Sequence, residues 1–213
     1  MRFRGLRFRG LQIRGRLKLG LILLLLGLIL LLYLRYIPTV RRLVSMQVDN
    51  ETSNLINDAV SAYLAREGLT YEDLVRLEKN DAGTVTAMQI DMDRANRLRA
   101  SVLEQVDLRI PDMSKEDVSV PVGNIFFPAL FSGRGGYLPV RVVSLRSSNA
   151  ELNSSFTQAG INQTLHSLEL EVAVEILLLT PAGFLNLNVE TEVPVAQTVI
   201  VGGVPNALIT TGD

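Results

Sequence analysis

The sequence contains no cysteine and only one histidine, and both absences narrow the chemistry open to it. Without cysteine there is no disulfide, and no thiolate can act as nucleophile or metal ligand. The single histidine, His166, cannot build a metal site that needs two histidine ligands. Exported eukaryotic domains of this size often carry disulfides, so their absence favours a bacterial exported protein. We expect no metal and no cofactor.

Acidic residues are absent from the first 48 positions, where the basic residues concentrate. All 22 Asp and Glu lie from Asp49 onward, whereas ten of the 21 Lys and Arg lie in residues 1–42. Residues 43–213 therefore carry 11 positive charges against 22 negative ones. A domain this acidic is repelled by nucleic acid, so nucleic-acid binding is not expected of it.

Charged side chains are also missing between a basic head and Arg35. Residues 1–18 carry seven positive charges, and residues 19–34 carry none of either sign. A helix over residues 19–37 reaches about 28 Å, enough to cross the apolar core of a bilayer if Arg35 extends to the interface. The pattern predicts a transmembrane signal anchor, with its uncharged core between Leu19 and Leu34.

The positive charges also predict the orientation of this anchor. The head carries seven, and the far flank carries three, Arg35, Arg41 and Arg42. The excess predicts a cytoplasmic head and an extracytoplasmic domain. A cleaved signal peptide is the alternative, but residues 35–42 lack the small-residue pattern of a cleavage site, which favours an uncleaved anchor.

After Pro38 the sequence predicts a second helical stretch, which makes residues 38–67 a membrane-proximal segment. The helix is predicted over about residues 41–67, running on from the membrane and packing on the domain that follows. Its predicted inner face consists of Val44, Val48, Thr52, Leu55, Ala59 and Ala62.

Residues 68–213 are predicted to form an α+β ectodomain. Alternating runs at 74–79 and 84–90 predict a hairpin, and a helix from Arg94 to about Asp107 is predicted with Asp91 or Asp93 as its N-cap. From Tyr137 onward the pattern is mainly β. The predicted elements there are a strand over 140–145, a short helix or turn over 154–163, and strands over 166–179, 184–193 and 197–201.

Apolar and acidic residues alternate along the longest predicted strand. The predicted inward side chains are Leu168, Leu170, Val172, Val174 and Ile176. The outer face of the hairpin that this strand forms with residues 184–193 is predicted to carry Glu169, Glu171, Glu175, Glu190 and Glu192. Alternation of this kind is typical of an antiparallel sheet with one solvated face. The sequence thus predicts an N-terminal transmembrane helix, followed by a helix-flanked, mainly antiparallel sheet.

Two groups of residues are candidates for function. Phe126, Phe127 and Phe131 lie in an irregular segment rich in Gly and Pro. They form either an exposed binding patch or an apolar lining beneath the loop or along the membrane-proximal face. His166 begins a strand, and its setting favours a hydrogen-bonded structural role. No catalytic set is predicted.

Several segments resemble the sporulation protein YunB family of endospore-forming Firmicutes. The main ones are FTQAGINQTLH at 156–166 and VPVAQTVIVGGVP at 193–205, within which residues 159–164 and 198–205 are the most specific parts. Further agreement comes from GLTYEDLV at 68–75, VPVGN at 120–124 and LFSGRG at 130–135. The resemblance covers roughly residues 45–206 together with the anchor. The candidate motif residues Gly160, Asn162, Gln163 and His166 lie within the segment 156–166.

The resemblance implies a membrane-anchored protein, made in the mother cell during endospore formation, without an assigned enzymatic activity. Its single pass would lie in the mother-cell membrane around the forespore, with the ectodomain outside the mother-cell cytoplasm.

Three hypotheses follow for the ectodomain. The first is non-enzymatic binding of another exported sporulation protein or of itself. The second is a cell-wall-processing hydrolase that uses His166 with acids such as Glu169 or Glu171. The third is a ring-forming structural oligomer.

Overall fold

The computed structural model describes residues 9–81, 83–113, 118–126, 128–160 and 162–202. Their elements, in chain order, are α1 Arg9–Glu67, α2 Tyr71–Leu74, β1 Val75–Lys79, β2 Val85–Ile90, α3 Met92–Arg109, α4 Gly123–Phe126, α5 Pro128–Phe131, β3 Arg141–Gly160, β4 Gln163–Thr180 and β5 Gly183–Val201. The fold is α+β with antiparallel sheets and a long apolar N-terminal helix, as predicted.

The apolar run and the membrane-proximal segment belong to one continuous helix, α1, which passes through Pro38. Proline cannot donate the backbone hydrogen bond of a helix interior. The hydroxyl of Thr39 donates to the carbonyl of Arg35 at 2.8 Å, which adds a side-chain bond beside the missing one. Within the described part of the chain, α1 is the one helix long and apolar enough to cross a membrane, and its most apolar stretch has no buried side chain.

The second half of α1 packs against the domain along a row spaced by four residues. This row consists of Val40, Val44, Val48, Thr52, Ile56 and Val60, all fully buried. The predicted Leu55 is half-buried and packs against the same core, but the prediction was wrong at Ala62, which is exposed. A strict four-residue row winds slowly around a helix, so by its end Val60 and Tyr63 lie on the inner face and Ala62 does not.

The main sheet has the strand order β3-β4-β5, all antiparallel, with strands of 20, 18 and 19 residues. Two predictions are corrected here. Most of residues 154–163 is strand, not helix or turn, because the polar residues at 154–160 pair with β4. The strands predicted at 184–193 and 197–201 are one strand, since Pro194 lies on an edge strand, where proline is tolerated.

Side chains of β4 alternate between a buried and an outer face, as predicted. The buried set contains the five predicted residues and extends to Leu178 at one end and His166 at the other. Each large apolar side chain so buried contributes about 1.5–3 kcal/mol relative to exposure. The glutamates at 169, 171 and 175 lie on the outer face.

Helices α1 and α3 cover the inner face of the sheet. The Ser53 hydroxyl lies 2.9 Å from that of Thr191 on β5, and the Ser148 hydroxyl of β3 donates to Asp107 of α3 at 2.7 Å. Helix α3 begins two residues earlier than predicted, and Asp91 is its N-cap, accepting from the backbone of Asp93 and Arg94.

The domain has two distinguishable ends. A guanidinium nitrogen of Arg41 donates to the carbonyl of Ala182 at 3.4 Å, so the β4–β5 turn lies where α1 first meets the domain. Ser53 and Thr191 meet further along both elements, so α1 and β5 run in the same direction. We call the end at Ala182 the proximal end. The opposite end, where β3 turns into β4 at residues 160–163, is the distal end.

Candidate interaction site

His166 is fully buried near the distal end, with both ring nitrogens held by hydroxyl groups. Its Nδ1 lies 2.7 Å from the hydroxyl of Tyr71, the first residue of α2. Its Nε2 lies 2.9 Å from the hydroxyl of Ser154 on β3. The Phe156 ring lies against it at a centroid distance of 4.8 Å. The arrangement is the one expected of a structural histidine.

Burial sets the charge state of this cluster. It lowers the pKa of His166, because the charged imidazolium loses water, and it raises the pKa of Tyr71. A neutral imidazole donates from one nitrogen and accepts at the other. One of the two hydroxyl groups therefore donates to the ring and the other accepts from it.

The segment that supplies Tyr71 is itself held in place. Asp73 accepts from the backbone nitrogen of Thr70 at 3.0 Å and from its hydroxyl at 2.7 Å, and pairs with Arg94 of α3 at 2.5 Å. The hydrogen bonds from Thr70, and to a smaller extent the one from Arg94, lower the pKa of Asp73 to about 2. Beneath them Leu74 and Val75 pack on Leu168 of the sheet.

The structure does not bring the proposed hydrolase acids to His166. Glu169 and Glu171 lie on the outer face of β4, while His166 lies on the inner face. The groups that His166 meets are the neutral hydroxyls of Tyr71 and Ser154. In the described ranges no cluster of three His, Asp or Glu side chains is placed to hold a metal ion.

Beyond His166 the three strands project past the helices as a sheet that we call the distal tongue, residues 153–165 and 196–202. On β3, residues 153–160 are all exposed. Phe156 lies on the His166 face and is 57% exposed. Val199 and Val201 lie on the other face and are 49% and 64% exposed. The tongue thus presents apolar side chains to solvent on both faces.

Three of the predicted motif residues lie at the tip of the tongue. Gly160 and Gln163 flank the β3–β4 turn. Asn162 adopts a left-handed conformation, with φ of 58°, and its carbonyl accepts from the backbone of Gly202 at 2.7 Å. The fourth, His166, lies at the base. The motif therefore forms the tip and base of one projecting sheet.

A groove of about 530 Å³ separates the tongue from the β1–β2 hairpin. One wall contains the apolar Tyr71, Val75 and Leu77 together with the charged Glu72, Arg76 and Lys79, and the other wall is residues 198–201 of β5. Since β5 is an edge strand of the main sheet, the groove runs along a sheet edge.

The phenylalanine group lies elsewhere. Phe126 ends α4, and Phe131 ends α5 with 48% of its surface exposed. Phe127 lies outside the described residues. Helix α4 contacts α1, and the segment leads into the start of β3 at the proximal end. The two predicted groups of residues are therefore at opposite ends of the domain.

Sequence reasoning missed Tyr71 and Ser154 as partners of His166. Tyr71 is 95 positions away and Ser154 is 12, so no local periodicity links them to the histidine. The one available signal is the Thr70-Tyr-Glu-Asp capping box, which predicts a helix start at Tyr71 but not what it packs against.

Residues 117–207 match the family model described as Sporulation protein YunB. This part of the chain belongs to the YunB family. The match confirms the resemblance over α4, α5 and the whole three-stranded sheet of this YunB domain, including all four motif residues. The covering helices α1 and α3 and the β1–β2 hairpin lie outside it. No curated protein and no solved structure matches the chain.

Proposed function

We propose that this chain is a membrane-anchored sporulation protein that acts without catalysis, by binding another exported protein through its distal tongue. The exposed Phe156, Val199 and Val201 on a sheet that projects beyond its covering helices carry this proposal. Apolar side chains in water on both faces of a sheet are costly unless a partner covers them.

The anchor supports the location. Helix α1 is exposed along its apolar stretch and carries the acid-free basic head at its start. A head of this charge is retained in the cytoplasm, which puts the tongue in the extracytoplasmic space. In a sporulating cell that space is the gap between the mother-cell membrane and the forespore, where a second exported protein is within reach.

The histidine cluster supports a non-enzymatic role. Both nitrogens of His166 are already bonded to hydroxyl groups, and its ring has no exposed surface on which a substrate could lie. The cluster fastens α2 to the base of the tongue. We assign it the task of holding the tongue in a fixed direction.

The sheet edge indicates how a partner binds. The end of β5 offers an unpaired strand edge beside Val199 and Val201, with the β1–β2 hairpin across the groove. An extended segment that adds to such an edge gains main-chain hydrogen bonds and places alternate side chains in the groove. A second copy of the chain is the alternative partner, because β3 is the other open edge and two copies can pair edge to edge.

Spore formation with charged tongue variants tests the proposal. Val199→Asp and Val201→Asp each place a carboxylate on the exposed apolar surface of the tongue, on the face away from His166. Leu108→Asp is the matched control, because Leu108 is 60% exposed on α3, away from the tongue. We expect fewer heat-resistant spores from the tongue variants at unchanged membrane-bound protein level, and normal spores from the control. Normal sporulation of both tongue variants would contradict the proposal.

A further inference from the structure

The geometry points to a second contact surface, at the opposite end of the domain, whose partner is the lipid bilayer. We infer that the proximal end rests on the membrane that α1 crosses, at its extracytoplasmic membrane–water interface, through a rim of exposed apolar side chains. This proximal rim consists of Leu130, Phe131, Tyr137, Leu179 and Phe184, exposed by 73%, 48%, 64%, 41% and 65%. The inference rests on the anchoring of α1 proposed above.

The distance along α1 places the rim at the membrane. Arg41 bonds to Ala182 of the β4–β5 turn. It lies seven residues after Leu34, the end of the uncharged run that begins at Leu19. At the helical rise this is about 10 Å. Tyr36 between them already packs against the domain core. The domain therefore begins within the interfacial layer and leaves no stalk to hold it away from the lipid.

The sheet supplies one side of the rim. Leu179, just before the β4–β5 turn, and Phe184, just after it, are register partners, and both lie on the outer face of the sheet. Along the same outer face of β4 the acids Glu171 and Glu175 lie further from the turn, and Leu177 comes next before Leu179. The outer face thus changes from acidic to apolar towards the proximal end.

The loop between α3 and β3 supplies the other side. The backbone of Gly123 donates to the carbonyl of Arg134 at 3.0 Å, and Asn124 accepts from the backbone of Gly133 at 2.7 Å. These bonds join the VPVGN and LFSGRG segments into one unit. A side chain at Gly123 would lie 1.9 Å from the carbonyl oxygen of Phe131, so only glycine permits this close approach. The unit fixes the α5 turn that carries Leu130 and Phe131.

Tyr137 connects the two sides. It follows the loop unit and precedes the first residue of β3, Arg141, whose register partner is Leu179. Its position is therefore at the proximal end of the sheet. Tyrosine with one apolar ring and one polar hydroxyl is enriched at membrane interfaces.

The charge distribution fits the same partner. Three segments that approach the proximal end, residues 35–48, 118–150 and 176–189, contain no Asp or Glu, although the chain has 22. Arginines 41, 42, 134 and 141 lie in or beside these segments. An acidic domain is repelled by an anionic bilayer unless its membrane-facing end lacks acids, and basic residues near such a surface are attracted to it. A protein partner would not require acids to be excluded from these three segments.

Tryptophan quenching in vesicles tests the inference, because the chain contains no tryptophan and each introduced one is read alone. The full-length chain is reconstituted into phosphatidylcholine–phosphatidylglycerol vesicles whose acyl chains carry bromine at a shallow position. Phe184→Trp and Leu130→Trp report on the rim. Phe156→Trp is the matched control, a comparably exposed phenylalanine on the distal tongue. Leu25→Trp, measured in vesicles whose bromine lies deep in the acyl chains, reports on the anchor.

A side chain inserted about 5–10 Å into the interface lies within reach of shallow bromine. We expect Phe184→Trp and Leu130→Trp to lose much of their emission and Phe156→Trp to lose none. Quenching of Leu25→Trp without quenching of either rim tryptophan would overturn the inference and leave the anchor intact. Absence of quenching at Leu25→Trp would overturn the anchoring and the inference with it. Equal quenching of Phe156→Trp and Phe184→Trp would overturn the assigned orientation.

Discussion

The Tyr71 hydroxyl and the His166 Nδ1 lie 2.7 Å apart, although 95 positions separate the two residues. Tyr71 belongs to the segment that leads into the β1–β2 hairpin, and His166 lies at the base of the distal tongue. The bond therefore connects the small hairpin to the main sheet beside the groove. It ties the shape of the proposed binding surface to the stability of the domain.

Tyr71→Phe removes this bond and leaves a buried ring nitrogen without its partner. The loss of one partner of a buried polar group costs about 1–3 kcal/mol. We expect the free energy of unfolding, from urea titration in detergent micelles, to fall by that amount. Tyr137→Phe is the control. Because Tyr137 is exposed, we expect this substitution to change the free energy of unfolding by less than about 0.5 kcal/mol. Equal effects of both variants would contradict the role of the bond.

The stability of the domain should depend on pH through His166. Burial lowers the pKa of this histidine below its ordinary value, so the unfolded chain takes up the proton at a higher pH than the folded one. The contribution of neutral His166 to the free energy of unfolding is present above about pH 6.5. It is lost as the pH falls, with a slope of at most about 1.4 kcal/mol per pH unit for one proton.

The urea midpoint measured from pH 7.5 down to pH 5 is expected to fall in the native chain. His166→Gln carries no titrating group at this position and serves as the control. Its midpoint should be lower at neutral pH and nearly flat over the same range. A native chain as flat as the variant would contradict the assignment.

Thr52 is a buried position where a change should stabilise the protein. Its hydroxyl has no hydrogen-bond partner in the described part of the chain, and its neighbours in the row along α1 are Val48 and Ile56. A buried polar group without a partner costs about 1–3 kcal/mol. Thr52→Val keeps the shape and removes the hydroxyl, so we expect a higher free energy of unfolding.

The adjacent Ser53 provides the opposite case on the same helix. Its hydroxyl bonds to Thr191, and Ser53→Ala is expected to lower the free energy of unfolding by about 1 kcal/mol. The changes in the free energy of unfolding caused by Thr52→Val and Ser53→Ala should therefore have opposite signs. A destabilised Thr52→Val would show that its hydroxyl has a partner.

Gly123→Ala tests the packing of the loop unit at the proximal end. The added carbon would lie 1.9 Å from the Phe131 carbonyl oxygen, so the backbone must shift. Overpacking of this kind costs about 1–3 kcal/mol, which thermal unfolding should detect. Gly136→Ala is the control, because a side chain there meets nothing within 4 Å. Similar losses in both variants would contradict the close approach.

The sequence predicted the parts of the fold that depend on local pattern. Alternation along β4 identified both faces of the sheet, and Asp91 was one of the two proposed caps of α3. It failed at 154–163, where Ser, Thr, Gln and Gly favour turns but pairing with β4 imposes a strand. The groups around His166 were also missed, because contacts between distant segments leave no local pattern.

Position-specific photo-crosslinking in sporulating cells shows whether the distal tongue contacts a partner protein. A photoreactive residue is placed at Val199 on the distal tongue or at Val143 on β3, where the exposed fractions are 49% and 47%. We expect a discrete protein adduct from Val199 and none from Val143, and the mass of the adduct distinguishes another exported protein from a second copy of the chain. The absence of an adduct at Val199, or the same adduct at both positions, would contradict a tongue that binds a partner.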